Sequence, residues 1–312
     1  MKRIEGTPDL LCTGTALVDS IIRGFDPTPV SAAGYRAESG TLHVGGEAVN
    51  AAIAAAKLNG SVGILCYLGA DAAGDMIESA LARAGVDTSA IVHEKSHPTP
   101  VSTLFVNADG TPKSVTNGAH RFNFHPERYA DALKRARAVS FGSLFRAPYN
   151  DAEVLKKTID AAEGAILLAD TKLPNFVPLT LDDIAESVKR LDYIFPNEDE
   201  ARYLTGRADP DEAADVLLSY GVRNVIIKLG GNGCLFKNAY ERIRLNAHRV
   251  DVVDATGAGD CFLAGFAIRI LEGASHADAL RFANACGAVC CTAVGATAGI
   301  GSRAQVEAVM KG

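Results

Sequence analysis

The chain has 312 residues, 48% of them hydrophobic and 22% charged, with a formal net charge of −6. That length and balance exclude a disordered chain and allow one large α/β core with a small appendage. The acidic balance argues against a nucleic-acid protein, which ordinarily carries a basic face.

The N-terminus, MKRIEGTPDLL, meets Glu5 and Asp9 before any signal-like apolar core can form. Beyond it, short apolar runs alternate with helical patterns. LLCTGTALVD (10–19) reads as a strand with Asp19 at its end. A Gly45-Gly46 pair then precedes the helix pattern EAVNAAIAAAKLN (47–59), which puts Asn50 in its first turns. VGILCYL (62–68) reads as a strand and GDMIESALARAG (74–85) as a helix. AVSFGSLF (138–145), DAEVLKKTIDAAE (151–163) and AILLAD (165–170) continue as strand, helix, strand. YIFPN (193–197), DEAADVLLSYG (211–221), VIIKLG (225–230) and GCLFK (233–237) follow as strand, helix, strand, strand. Two long helices come after Gly257 and His276. Such alternation predicts right-handed βαβ units and a mostly parallel sheet with helices on both faces, with ligands at the strands' carboxyl ends.

Two stretches, about 24–44 and 99–124, break the rhythm with Pro, Gly, Thr and Val and short alternating runs such as VSTLFVN. The hairpin signal ADGTP joins two of these runs. A small extra sheet projecting from the main unit is expected there. The longest weakly polar run, ACGAVCCTAVGATAGIG, is too short and too rich in Gly and Thr to span a membrane. Seven cysteines without a CxxC pair read as reduced thiols of a cytoplasmic protein. Cys286, Cys290 and Cys291 fit packing in an Ala-rich helix better than metal binding.

The chemistry concentrates in DATGAGDCFLAGFA (254–267). Gly257 and Gly259 let the backbone approach a ligand, and the helix that follows begins with unpaired N–H groups, which form an anion site. Asp260 beside it suggests phosphoryl transfer, with the carboxylate taking a proton from an attacking hydroxyl. A tight turn with an ordinary first-turn acid would read the same. The stretch is neither a Walker loop nor G-x-G-x-x-G, since Phe262 stands where the third Gly would fall. In PNEDEARYLTG, Asn197 and Glu200 are three apart, which predicts one face of a starting helix that can hold hydrated Mg²⁺ through water. IIKLGGNG places flexible Gly230, Gly231 and Gly233 after a strand, suited to backing a nucleotide.

These segments together resemble the ribokinase or PfkB family of carbohydrate kinases, over nearly the whole chain from Asp19 and GGEAVNAA through FPNEDEARYLTG and DATGAGDCFLAGF to VGATAGIG. The resemblance implies a ribokinase-like three-layer α/β/α sandwich, residues 1–312 forming one kinase domain, and a β-sheet lid in the two irregular stretches that often pairs with a second subunit. It implies Asp260 as catalytic base and the amides of 255–259, with Gly257 and Ala258 central and Gly259 beside them, as an anion hole. Asp19, Gly45, Gly46 and Asn50 would hold sugar hydroxyls. Asn197 and Glu200 would organise Mg²⁺ and phosphates. Lys228, Gly230 and Gly233 would line the ATP site, and Asn284 would approach the adenine. A K⁺ ion would lie near Asp254 and Thr256, with carbonyls around Cys290, Ala293, Gly295 and Gly299.

The chain departs from ribokinase-like members at Leu17, where Asn is common, and in SLFRAP, where Phe145 and Arg146 stand in the region of a sugar-binding Glu. Ribose itself is therefore doubtful. The segments TLDD, DYIFPN and RFANA resemble a branch of sugar kinases without a settled substrate. Arg121, Arg146 and Lys172 could face the substrate and grip a carboxylate or phosphate, or be solvated charges. His43, His120 and His125 fall in or beside the lid. A nucleoside kinase would need an apolar slot, for which Phe122, Phe124 and Phe145 are candidates. A sugar- or nucleotide-sensing protein on the same fold is the non-enzymatic alternative.

Overall fold

A computed structural model describes residues 7–24, 37–106, 112–118, 123–175 and 177–311. Arg121, His120, Phe122 and most of the ADGTP turn lie outside these residues. In chain order the elements are β1 (Leu10–Thr13), β2 (Leu17–Arg23), β3 (Ser39–Gly45), α1 (Glu47–Lys57), β4 (Val62–Leu65), β5 (Tyr67–Gly69), α2 (Ala72–Ala84), β6 (Val92–Glu94), β7 (Val101–Val106) and β8 (Pro112–Asn117). Then come α3 (Ala130–Arg135), β9 (Ala138–Leu144), α4 (Ala152–Ala161), β10 (Ile166–Thr171), α5 (Ala185–Val188), β11 (Tyr193–Phe195), α6 (Glu198–Thr205), α7 (Pro210–Ser219), β12 (Asn224–Lys228), β13 (Cys234–Asn238) and β14 (Arg242–Leu245). The chain closes with α8 (Ala258–Leu271), α9 (His276–Cys290) and α10 (Arg303–Lys311).

The central sheet runs β14-β13-β12-β11-β10-β9-β1-β4. Neighbours from β4 to β12 are parallel, and β13 and β14 add antiparallel at one edge. The strands are apolar along their whole length, as in LLCT and AVSFGSL, because both faces are covered. One face buries α1, α2, α8, α9 and α10 around residues such as Val49, Ile64, Phe266 and Leu280. The other buries α3, α4 and α7 around Phe141, Leu155, Leu217 and Val225. The result is a three-layer α/β/α sandwich with a mostly parallel sheet, the architecture that the resemblance implies. A second, four-stranded sheet, β3-β2-β7-β8, stands apart from it. No helix among the described residues is long and apolar enough to cross a membrane.

Two expected strands are each divided in two. LLCTGTALVD is broken by Gly14, whose φ of 148° lets the chain leave the central sheet after β1 and start β2 in the second sheet. Asp19 is therefore the third residue of a strand of the second sheet, paired with His43 on β3 and Ser102 on β7, and does not end a core strand. VGILCYL likewise divides into β4 and β5. β2 also precedes the lid boundary expected at residue 24.

The strand order reverses between β1 and β9: the chain passes from β1 outward to β4, then returns to β9 on the other side. Such a switch point opens a crevice at the carboxyl ends of the two strands. Here the opening is kept narrow by glycine. A Cβ on Gly14 would lie 3.1 Å from the Gly142 carbonyl, and one on Gly142 would lie 3.3 Å from the Ala48 amide. The N-terminus of α1 is thereby seated at the crevice mouth.

Candidate active site

Two helix N-termini meet at this mouth. α1 begins after Gly46, whose φ of 95° and whose approach to the Thr15 carbonyl (2.3 Å from a would-be Cβ) only glycine tolerates. α8 begins after Gly257, which is left-handed at φ 78°. Neither helix has a side-chain cap. The amides of Gly257, Gly259 and Asp260 donate to no described residue, whereas Ala258 N–H reaches the Ala255 carbonyl at 3.2 Å. Gly257 and Gly259 of the expected cradle are thus open, and the Asp260 amide joins them. With the helix dipole they form a seat for an anion.

Packing of α1 on α8 brings Asn50 to Asp260, with Asn50 Nδ2 donating to Asp260 Oδ2 at 2.8 Å. Burial, with Glu47 and Asp170 adding repulsion, pushes the Asp260 carboxyl up to about 7, against the pull of Lys172 and Asn50. A carboxyl at that value exchanges protons near neutrality, as a general base must. Asn50 Oδ1 is buried and has no partner among the described residues. An orphan acceptor beside a carboxyl that titrates near neutrality is a place for a ligand hydroxyl, since such an atom costs free energy if left unpaired.

Asp19 lies across the mouth. A Cβ on Gly45 would sit 2.3 Å from Asp19 Oδ2, so glycine is needed for the carboxylate to lie over the β3–α1 corner. Burial and Glu47 push its carboxyl up to about 6, partly offset by His43. His43 bonds through Nε2 to Thr41 Oγ1 at 3.0 Å, and His125 pairs with Glu127 at 3.0 Å. Phe145 is fully buried and Phe124 nearly so.

On the other side of Asp260 the ends of β10, β11 and β12 hold an ionic group. Lys228 Nζ lies 2.6 Å from Asp170 Oδ1 and 3.1 Å from a would-be Cβ on Gly259, so its ammonium borders the anion seat. Asn197 caps α6 from a non-helical position, with Asn197 Oδ1 accepting from Glu200 N–H at 2.8 Å and Glu200 Oε2 accepting from Asn197 N–H at 2.9 Å. The expected shared helix face is therefore a capping box. The same Oε2 accepts from Thr171 Oγ1 at 2.8 Å, while Oε1 bonds to no described residue. Burial and the nearby Asp170 raise the Glu200 carboxyl. Two crowded carboxylates with a single bound ammonium suit a hydrated divalent cation.

Breaking the ammonium–carboxylate pair leaves Asp170 buried without its counter-charge, a change that costs about 3 kcal/mol in comparable pairs. Lys228→Met is expected to lower stability in urea by that order. Asp170→Leu combined with Lys228→Met is expected to lower it by less than Lys228→Met alone.

Beyond Lys228, the turn at Gly230 (φ 53°) and Gly233 (φ 87°) is closed by Leu229 N–H on the Gly233 carbonyl at 2.8 Å. Asn284 is buried on α9 and donates to the Asn246 carbonyl at 3.4 Å. Burial alone would raise the Asp254 carboxyl, but hydrogen bonds from Gly295 and Thr256 outweigh it and hold the group low. Around it, the carbonyls of Thr256, Gly295 and Gly299 already accept from the Cys290 thiol, Ala298 N–H and Gln305 Nε2. Cys286 and Cys290 are buried among α8 and α9, and Cys291 is partly so.

Sequence reasoning overlooked Glu47, Asp170 and Thr171. Asp170 ends the apolar run AILLAD, and that position at a carboxyl edge was the available signal. Arg146 and Lys172 come to the same cleft from β9 and β10.

The family model for the pfkB family carbohydrate kinases matches residues 9–302. Fructokinase-1 of Oryza sativa subsp. japonica is 27% identical over 96% of this chain and 96% of its own length. A ribokinase of Arabidopsis thaliana is 28% identical over 97% of this chain and 81% of its own. The structure of Arabidopsis thaliana ribokinase complexed with ribose and ATP superposes with a TM-score of 0.86 at 26% identity, covering 98% of this chain and 99% of that one.

Proposed function

The chain belongs to the pfkB family of carbohydrate kinases, and from that premise we propose that it transfers the γ-phosphoryl group of ATP to a hydroxymethyl group of a small carbohydrate or sugar acid. The observation that carries this reading is the Asp260 carboxyl, oriented by Asn50 at 2.8 Å and set beside open amides at the start of α8. Asp260 takes the proton of the attacking hydroxyl. The amides of Gly257, Gly259 and Asp260, with Ala258 shaping the turn, hold the charge that develops on the phosphoryl oxygens. Asp19, Gly45, Gly46 and Asn50 orient the acceptor's hydroxyls. Lys228, Gly230 and Gly233 flank the nucleotide, Asn284 approaches its base, and Asn197 and Glu200 order its phosphates.

Mg²⁺ would be held through water by the free oxygen of Glu200, and when bound it neutralises phosphate charge. A K⁺ ion would be held by Asp254 with the carbonyls of Thr256, Cys290, Ala293, Gly295 and Gly299, three of which would lend a second lone pair. Residues 1–312 are read as one domain whose second sheet is the lid that excludes water over the acceptor. Ser20 pairs with Leu42 and Thr103, and Thr103 with Val115, so Leu42 and Val115 share the face opposite Asp19, at 60% and 67% exposure. That face suits a homodimer joined through the lids.

Phe145 and Phe124 are buried and neither ring is free to stack on a base, which leaves Phe122, outside the described residues, as the ring on which the nucleoside alternative rests. An ATP-consumption screen over sugars, sugar acids and nucleosides tests the assignment. Turnover with a sugar or sugar acid is expected. Turnover with nucleosides alone would move the chain to that class, and binding of sugars without ADP release would make it a sensor.

A further inference from the structure

Resting on the kinase reading, we propose that the acceptor carries an anionic group, a carboxylate or a phosphate monoester, gripped by Arg146 and Lys172. The two residues follow β9 and β10, neighbouring parallel strands of the central sheet. Their segments are stitched together: Lys172 N–H donates to the Leu144 carbonyl at 3.1 Å, and Arg146 Nε donates to the Leu173 carbonyl at 2.6 Å. The Arg146 loop is held in an uncommon shape. Ser143 and Phe145, neither of them glycine, have φ of 60° and 71°, and the Phe145 ring is fully buried as an anchor. Non-glycine residues kept in this region cluster at functional sites.

The Nε bond fixes the guanidinium plane and leaves both Nη groups without a partner among the described residues. Lys172 Nζ likewise closes no hydrogen bond or ion pair there. Acids nonetheless surround both. Burial, the largest single influence on the Lys172 ammonium, lowers it, but Glu47, Asp260, Asp170 and Glu200 together outweigh burial and raise it. Arg146 is lowered by burial, with Glu47 and Glu200 acting the other way. Two cations are thus held over the mouth with their donors open. A neutral polyol would leave a half-buried guanidinium without its preferred planar acceptor. A carboxylate or phosphate would meet it at two points. The nucleotide's phosphates already have Lys228, whose ammonium borders the α8 amides, whereas Glu47, which also acts on Asp19, acts on both of these cations. The orphan Asn50 Oδ1 supplies an acceptor for a hydroxyl of the same compound.

The test uses the full chain with ATP and matched sets: a neutral hexose or pentose, its sugar acid, and its monophosphate. In at least one set an anionic member is expected to exceed the neutral one in kcat/KM by ~100-fold, the order expected of a desolvated charge pair. Which anionic member wins separates carboxylate from phosphate. Arg146→Gln is expected to erase that preference by raising the acceptor's KM, with KM for ATP unchanged. Calorimetry of the same sets with a non-hydrolysable ATP analogue keeps the two readings apart. Arg146-dependent binding of anionic members without turnover would sink the kinase reading and leave this one standing. Equal or better turnover of neutral members would overturn the present inference alone. So would failure of every anionic member to bind, or a KM change confined to ATP.

Discussion

Asp260→Asn is expected to lower kcat by at least ~100-fold, the lower end of what a positioned general base contributes. Binding of ATP, followed by calorimetry or a fluorescent analogue, should stay within a few-fold of the parent. The reason is geometric. Asparagine has nearly the same shape as aspartate and leaves the α8 amides in place, but it cannot take a proton. The raised carboxyl gives the prediction a second readout. With a folded value of about 7, Asp260 is protonated below that pH, so the rate should fall on the acid side of neutrality and level off above it. The residual activity of Asp260→Asn should lack that limb.

Stability moves in the opposite direction. A group raised on folding favours the folded state below its unfolded value, near 3.8, and loses that contribution as pH climbs through about 7. At pH 8 the parent therefore carries a buried charge it would rather not hold. Asp260→Asn removes it and should melt higher than the parent at pH 8, with the difference shrinking toward pH 4. A variant that is both inactive and unfolded would contradict this account, as would one of near-normal turnover.

Gly257→Ala is expected to cost as much in rate by a different route. At φ 78° any Cβ pays about 1–2 kcal/mol for left-handed backbone. Here it would also lie 2.2 Å from the Ala296 carbonyl oxygen. That carbonyl cannot retreat easily. It accepts from the Cys261 thiol at 3.4 Å, the Cys290 sulfur packs 3.2 Å from it, and its neighbour Thr297 is tied to Lys57 Nζ at 2.8 Å. The α8 turn must move instead, and with it the open amides of the proposed anion seat. Loss of such donors lowers rates by ~100- to 1,000-fold. Gly206→Ala is the control, since it is also left-handed (φ 70°) but opens onto empty space at the C-terminal end of α6. It should lower stability by a similar backbone cost and leave kcat unchanged. Equal kcat losses in both variants would mean that the anion seat has no special part.

The turn that ends in Asp260 was legible in the sequence because its geometry is local. Gly257, Gly259 and Asp260 sit within one helical turn, and small residues before an acid at a helix start leave few other structures. The alternation of strands and helices was legible for the same reason. The break after β1 was not. The apolar run continues through Ala16, Leu17 and Val18, and only the close contact of Gly14 with Gly142, 128 positions away in the chain by their numbering, shows where it turns off. Glu47 and Asp170 were hidden too. In the chain one is an ordinary first-turn acid and the other an ordinary strand-end acid. Their influence on Asp260 exists only after α1, β10 and α8 are brought together. Asn197 and Glu200 were found as a pair, but a three-residue spacing suits a helix face and a capping box alike, and the φ and ψ of Asn197 decide between them.

Two of the small sheet's connections to the larger body lie side by side. β1 passes into β2 through only Gly14, Thr15 and Ala16, and β3 passes into α1 through Gly46 alone. These stems touch, since the Gly46 α-carbon rests against the Thr15 carbonyl. Gly46 stands four positions ahead of Asn50, so any displacement of the small sheet at that stem is passed directly to the side chain that hydrogen-bonds Asp260.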